Sequence, residues 1–353
     1  MTTAILECIS TLSISVQQLR RLPRFLEGST TKMPLTVKDS DVPRLFREPY
    51  IQTGYRPMDQ DWKYYFFSLF QKHNESINVW THLLVALAVV LRVVAFVEAG
   101  FLSLNIISFP LYLYVLASLT YLMCSTLAHL LQSKSELDHY TFYFMDYVGV
   151  STYQYGSALA HYYYSSNQAW YDEAWYFFLP GAAFLGWLSC VGCCYAKYCY
   201  KRPYPVMRKI LQVVPAGLAY ILDISPVVHR IVTCQIEGCT DKAIWFHSLQ
   251  FIFFIIGAYF FSCPVPEKYF PGSCDFIGHG HQIFHVFLGL CTLSQLEALF
   301  IDYQTRNELF SARYSSIDTL VNCASFFLLI FCSAFTAVYA RRRIKDKLAR
   351  KEL

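Results

Sequence analysis

At 353 residues the chain has room for two or three soluble domains, but 55% of it is hydrophobic and 18% aromatic while only 15% is charged, where an ordinary soluble domain carries about 25%. The mean hydropathy of +0.32 and apolar runs that recur after about residue 75 exclude a soluble protein and indicate a polytopic membrane protein. The formal net charge is a modest +4, and the chain holds no nucleic-acid module and no glycine-rich phosphate loop.

The N-terminus has neither a basic stretch before an apolar core nor a small-residue cleavage site, so no signal peptide is read and the first segment is expected in the cytosol. Residues 1–58 contain Pro23, Pro34, Pro43, Pro49 and Pro57 and lack periodicity, which predicts a largely irregular region. Residues 59–74 follow, with Trp62, Tyr65, Phe66, Leu69 and Phe70 on one helical face. That pattern predicts an amphipathic helix along the inner membrane surface, or one packed under the bundle; the two are compatible.

Eight segments then reach the roughly 20 residues a crossing helix needs: 77–99, 106–131, 140–163, 174–195, 210–232, 243–261, 276–299 and 320–340. The expected architecture is an all-α core over residues 75–300 followed by a loop and an eighth span over 301–340. A basic tail over 341–353 completes it. Most of the 29 lysines and arginines fall on one side of this arrangement, notably Lys201, Arg202 and the run Arg341-Arg342-Arg343. The excess marks the cytosolic side and places both termini there, which requires an even number of spans. The sequon Asn74-Glu75-Ser76 then faces the cytosol and stays unglycosylated. Of thirteen cysteines, most sit in apolar spans as small hydrophobes. Cys190, Cys193, Cys194 and Cys199 are read as packing or palmitoylation sites, and Cys234 with Cys239 as a pair able to close a short disulfide outside. The basic tail suits anionic lipid or simply fixes topology.

Ionisable residues inside such spans are expensive and mark function. His281 and His285 are four apart and share a helix face, as do Ser125 and His129 near the end of the second span, and Asp146 opens the third. All fall in the inner half of the bilayer. Three neutral imidazoles with one open position make a tetrahedral zinc site, with Asp146 as partner of a metal-bound water and Ser125 behind it. Each residue alone has a plainer reading: a packing histidine, a serine bonded to its own backbone, an Asp146–His139 pair. The zinc site can be catalytic, or it can staple the second and seventh spans. Asp223, Arg92, Gln154, Gln212 and Glu297 are also buried polar groups, for which internal pairs are the simpler account.

Ser125-x3-His129, Asp146-Tyr147 and His281-Gln-Ile-Phe-His285, together with Asn78-Val-Trp-Thr-His82, resemble the motifs of the progestin and adipoQ receptor family. Within it the chain resembles the membrane progestin receptor branch. The resemblance implies the seven-helix core of the adiponectin-receptor type with one added C-terminal transmembrane helix. It also implies zinc held by His129, His281 and His285, and a plasma-membrane receptor for progesterone-like steroids that signals rapidly through inhibitory heterotrimeric G proteins, with roles in gamete maturation. A steroid ketone accepts but does not donate, so Gln212, Gln154 and tyrosines are its candidate donors. Relatives with the same motifs suggest an alternative, a zinc-dependent hydrolase of lipid amides such as ceramide, in which Asp146 would handle protons.

Overall fold

A computed structural model of the chain describes residues 34–352, all within or bordering one compact unit, Thr36–Leu353. The expectation for residues 1–33 lies outside the described residues. Eight long helices dominate: α2 (Ser76–Glu98), α3 (Phe109–Leu131), α4 (Glu136–Ala160), α6 (Phe178–Cys199), α7 (Val206–Glu237), α8 (Lys242–Ser262), α9 (Gly280–Thr305) and α11 (Ser316–Glu352). Three short ones join them: α1 (Trp62–Phe67), α5 (Gln168–Ala174) and α10 (Asn307–Arg313).

Seven of the eight long helices are long and apolar enough to cross a membrane; α4 is the exception. Its 25 residues include Glu136, Asp138, His139, Asp146 and Gln154, and it packs against α3, α6, α7 and α11. A helix shielded on so many sides needs little lipid-facing surface, so its polarity is tolerated. Gly149 and Gly156, one heptad apart, let α4 approach α3 closely. A Cβ at Gly156 would sit 2.4 Å from Ala117 Cβ, and one at Gly149 2.9 Å from Tyr121 Cα. Small residues are what allow membrane helices to approach to this distance.

Helix boundaries follow local chemistry. Ser135 caps α4 by accepting the Asp138 amide at 3.1 Å. α7 runs through Pro215 and Pro226 and ends at Gly238 in the left-handed conformation, φ 70°. It is longer than the expected 210–232 at both ends, starting at Val206 and running on through polar residues to Glu237. α9 extends past the expected end at residue 299 to Thr305, and starts at Gly280 rather than 276.

Residues 34–58 carry a 3₁₀ turn at Asp39–Asp41 and one antiparallel bridge, Val37 to Tyr55. Irregular in this sense, they are nonetheless packed: Val42, Phe46, Ile51 and Tyr55 form a buried cluster, and the Asp275 carboxylate accepts the Gln52 and Thr53 amides at 3.0 and 2.8 Å. α1 is shorter than the amphipathic pattern implies and passes into a 3₁₀ turn at Ser68–Phe70. Its side chains divide. Trp62, Phe66 and Phe70 are exposed while Tyr65 is fully buried, its hydroxyl donating to the Pro57 carbonyl at 2.8 Å.

Candidate metal centre

The last turns of α3 and the first turns of α9 lie at one end of the bundle. His129 projects inward two residues before α3 ends, and His281 and His285 project from adjacent turns of α9. One ring nitrogen from each of the three lies within 4.8 Å of the others. His281 Nε2 is 3.3 Å from His129 Nε2, and the three ring centroids are 4.6 to 5.1 Å apart. His281 falls in the first turn of α9, shallower than the expected start at 276 would put it.

The opposite edges of these rings are held. Nδ1 of His129 faces Glu75 Oε2 at 2.8 Å, and Nδ1 of His285 faces the Asn78 carbonyl at 3.2 Å. A carboxylate and a carbonyl only accept, so both Nδ1 atoms carry the proton and both Nε2 lone pairs point inward. These inward nitrogens and one of His281 lie within 4.8 Å of one another, close enough to share one ion. A carboxylate or carbonyl behind each imidazole is also how metal-binding histidines are ordinarily oriented. The residues present therefore fit a zinc-like ion.

Glu75 is buried and also accepts from Asn78 Nδ2 at 2.6 Å and Gln132 Nε2 at 3.4 Å. Burial by itself would raise its pKa. Its interaction with the His129 ring and the bond from Asn78 outweigh burial and hold the carboxyl below the ordinary carboxylate range. Arg56, with 2% exposure, closes the end of α3 by donating to the carbonyls of His129 (2.7 Å) and Leu130. Burial pulls its guanidinium pKa down, against the opposing pull of Glu75. His82 stacks on His285 with centroids 3.8 Å apart and planes 5° from parallel, and both its nitrogens are buried without a partner. Of these, only Asn78 and His82 were singled out from the sequence, as the two ends of one motif. The available signal was Glu75 and Asn78, three apart, where the first span opens.

The remaining sequence-predicted residues divide. Ser125 is buried one turn before His129. Asp146 Oδ1 is buried and unpartnered, and lies within electrostatic reach of His129. The Asp146–His139 pair is not formed: His139 instead bonds Gln132 and Lys197. Gln154 gives a long 3.5 Å contact to the Ala216 carbonyl on α7 and leaves Oε1 unpartnered, as is the Tyr220 hydroxyl on α7. Gln212 is buried on α7.

Arg92 pairs with Glu297 between α2 and α9. Asp223 accepts from Ser157 at 2.7 Å and faces His161 Nδ1 at 2.8 Å. That pair belongs to a second buried network at the opposite end, where Asp302 faces His247 Nε2 at 3.0 Å and Arg230 at 2.7 Å. Sequence reading missed most of it. Cys234 and Cys239 form the disulfide at the same end, after α7.

Comparison with known proteins adds a family and its members. Residues 70–296 match the family described as haemolysin-III related. The chain is 67% identical over 353 residues to "Membrane progestin receptor beta" of Homo sapiens and to that of Mus musculus, each covered over 100% of both chains. It is 52% identical over 356 residues to "Membrane progestin receptor alpha-B" of Danio rerio, again over the whole of both.

Proposed function

Because the chain belongs to the haemolysin-III-related family and matches membrane progestin receptors from end to end, we propose that it is a multi-pass plasma-membrane receptor for progestin steroids. The carrying observation is the full-length 67% identity to a relative with that name. Polar groups on α4 and α7 support it: Gln154, Gln212 and Tyr220 lie in an aromatic bundle, and two of them keep buried atoms without protein partners. An apolar site with a few placed donors suits a flat ketosteroid. The signal passes to inhibitory heterotrimeric G proteins at the cytosolic face.

His129, His281 and His285 hold zinc, with Glu75 and the Asn78 carbonyl orienting two of the rings. When bound, the ion would brace α3 against α9 and could polarise a carbonyl or water. Asp146, within electrostatic reach of His129, would be able to hold a proton at its unpartnered Oδ1, and Ser125 is buried one turn before His129. In this reading α4 is a true span, giving eight crossings, and the histidine end faces the cytosol. The disulfide Cys234–Cys239 at the other end suits an oxidising compartment. The exposed aromatic side of α1 lies along the inner membrane surface.

The test is one experiment on purified, reconstituted protein: zinc content, progestin binding and ceramide turnover, measured together on wild type and on His129→Ala, Asp146→Asn and Gln212→Leu. The receptor reading expects saturable progestin binding, weakened in Gln212→Leu, zinc lost only in His129→Ala, and no turnover. Turnover that disappears in Asp146→Asn while zinc stays, in protein that binds no progestin, would replace the receptor with a lipid-amide hydrolase.

A further inference from the structure

Beyond the histidine cluster, the same end of the bundle gathers four basic side chains from the end of α6, the loop after it and the start of α7. Lys197 is 5% exposed. Its Nζ donates to His139 Nε2 at 2.8 Å and lies 3.9 Å from the centre of the Tyr143 ring. Arg202 and Arg208 both pack on Tyr204, at 4.9 and 3.6 Å. Lys209 donates to the Phe261 carbonyl at 2.7 Å. Arg208 and Arg202 act electrostatically on Lys197, and Arg208 on Lys209.

Among the described residues a single ion pair serves all four, Arg202 to Glu48 at 2.6 Å. Glu48 also acts on Lys197 and Lys209, and Glu75 and Asp146 act on Lys197, but Glu48 is paired with Arg202 and Glu75 is committed to His129. The Nε atoms of both Arg202 and Arg208 are buried without an acceptor. Like charges held together, with buried guanidinium donors left over, are stable only beside an anion.

We propose that this cluster binds a phosphate group. A phosphate offers several acceptor oxygens at once, which matches two guanidinium forks and an ammonium arriving from different elements. Basic pockets between transmembrane helices take lipid headgroups in this way. The flanking side chains favour a lipid as the source, since Tyr195 on α6 and Val206, Met207 and Ile210 on α7 are all exposed. Free phosphate remains the other source of the same chemistry.

The assignment is independent of the steroid and zinc readings, and its test needs neither ligand. Full-length protein is placed in nanodiscs and in detergent, and binding is read by native mass spectrometry and by the thermal unfolding midpoint. Phosphatidic acid, phosphatidylcholine, inorganic phosphate and glycerol phosphate serve as probes. Wild type should retain phosphatidic acid over phosphatidylcholine and gain a higher midpoint, and Arg208→Gln and Arg202→Gln should each weaken retention by about tenfold. Arg342→Gln, in the basic tail, controls for general attraction to anionic surface. Competition by inorganic or glycerol phosphate identifies a free phosphate; its absence identifies a lipid. Retention unchanged in both arginine variants, or lost equally in Arg342→Gln, overturns the site. Each variant's midpoint without probe shows whether it is folded, and Arg208→Lys, which keeps the charge, should recover part of the binding.

Discussion

At the scale of single residues the histidine centre depends on what stands behind it. Glu75 uses both carboxylate oxygens, on His129, Asn78 and Gln132, so it sets the tautomer and the aim of one imidazole. Replacing it with glutamine keeps the shape but allows the amide to donate, which competes with the Nδ1 proton. Glu75→Gln is expected to lower metal affinity by about 10- to 100-fold while leaving the helical content unchanged. Zinc titration against a chelator, with far-ultraviolet circular dichroism alongside, checks it; unaltered affinity would remove Glu75 from the site. His129, His281 and His285, whose ring nitrogens the fold brings together, were legible in the sequence because each is a polar residue where lipid-length helices tolerate few. Glu75 and Arg56 were not. Both lie outside the apolar runs, where charge is unremarkable, and only the fold carries them inside.

Among the elements, α4 is enclosed by the most long helices. It packs against α3, α6, α7 and α11 and meets α3 through Gly149 and Gly156. At Gly156 a valine would drive its Cβ against Ala117, whose own Cβ cannot move without shifting α3. Gly156→Val is expected to destabilise the protein by about 1–3 kcal/mol, read as a lower thermal midpoint in detergent. A midpoint equal to wild type would mean the two helices do not approach so closely. The sequence located α4 to within a few residues by its apolar content. It could not supply the reason that content is low, which is enclosure by four other helices. Both ends of α7 and the far end of α9 were underestimated because polar residues near helix ends stop a hydropathy pattern sooner than they stop a packed helix.

For the whole molecule, orientation is the testable quantity. Antiparallel succession of the eight long helices brings the starts of α2, α4, α7 and α9 and the ends of α3, α6, α8 and α11 to one end, where the histidines and the basic loop both lie. In the proposed arrangement of eight crossings the positive-inside asymmetry puts that end in the cytosol. Asn74 is then expected to stay unglycosylated in cells, and a C-terminal tag to be reached by antibody only after permeabilisation. A glycan at Asn74, lost on treatment with a glycosidase, would invert the arrangement.

Composition, hydropathy and helix-period spacing determined that this is a membrane bundle and which polar residues in it are out of place, because the cost of burying a polar group in lipid is paid locally and shows in the local sequence. Tertiary structure decided which of those residues meet. His129 and His281 are 152 positions apart in sequence with their Nε2 atoms 3.3 Å apart in space, Glu75 reaches His129 from the start of α2, and Lys197 bonds His139, which leaves Asp146 without it. Such pairings depend on which helix faces lie together, and no local pattern encodes them.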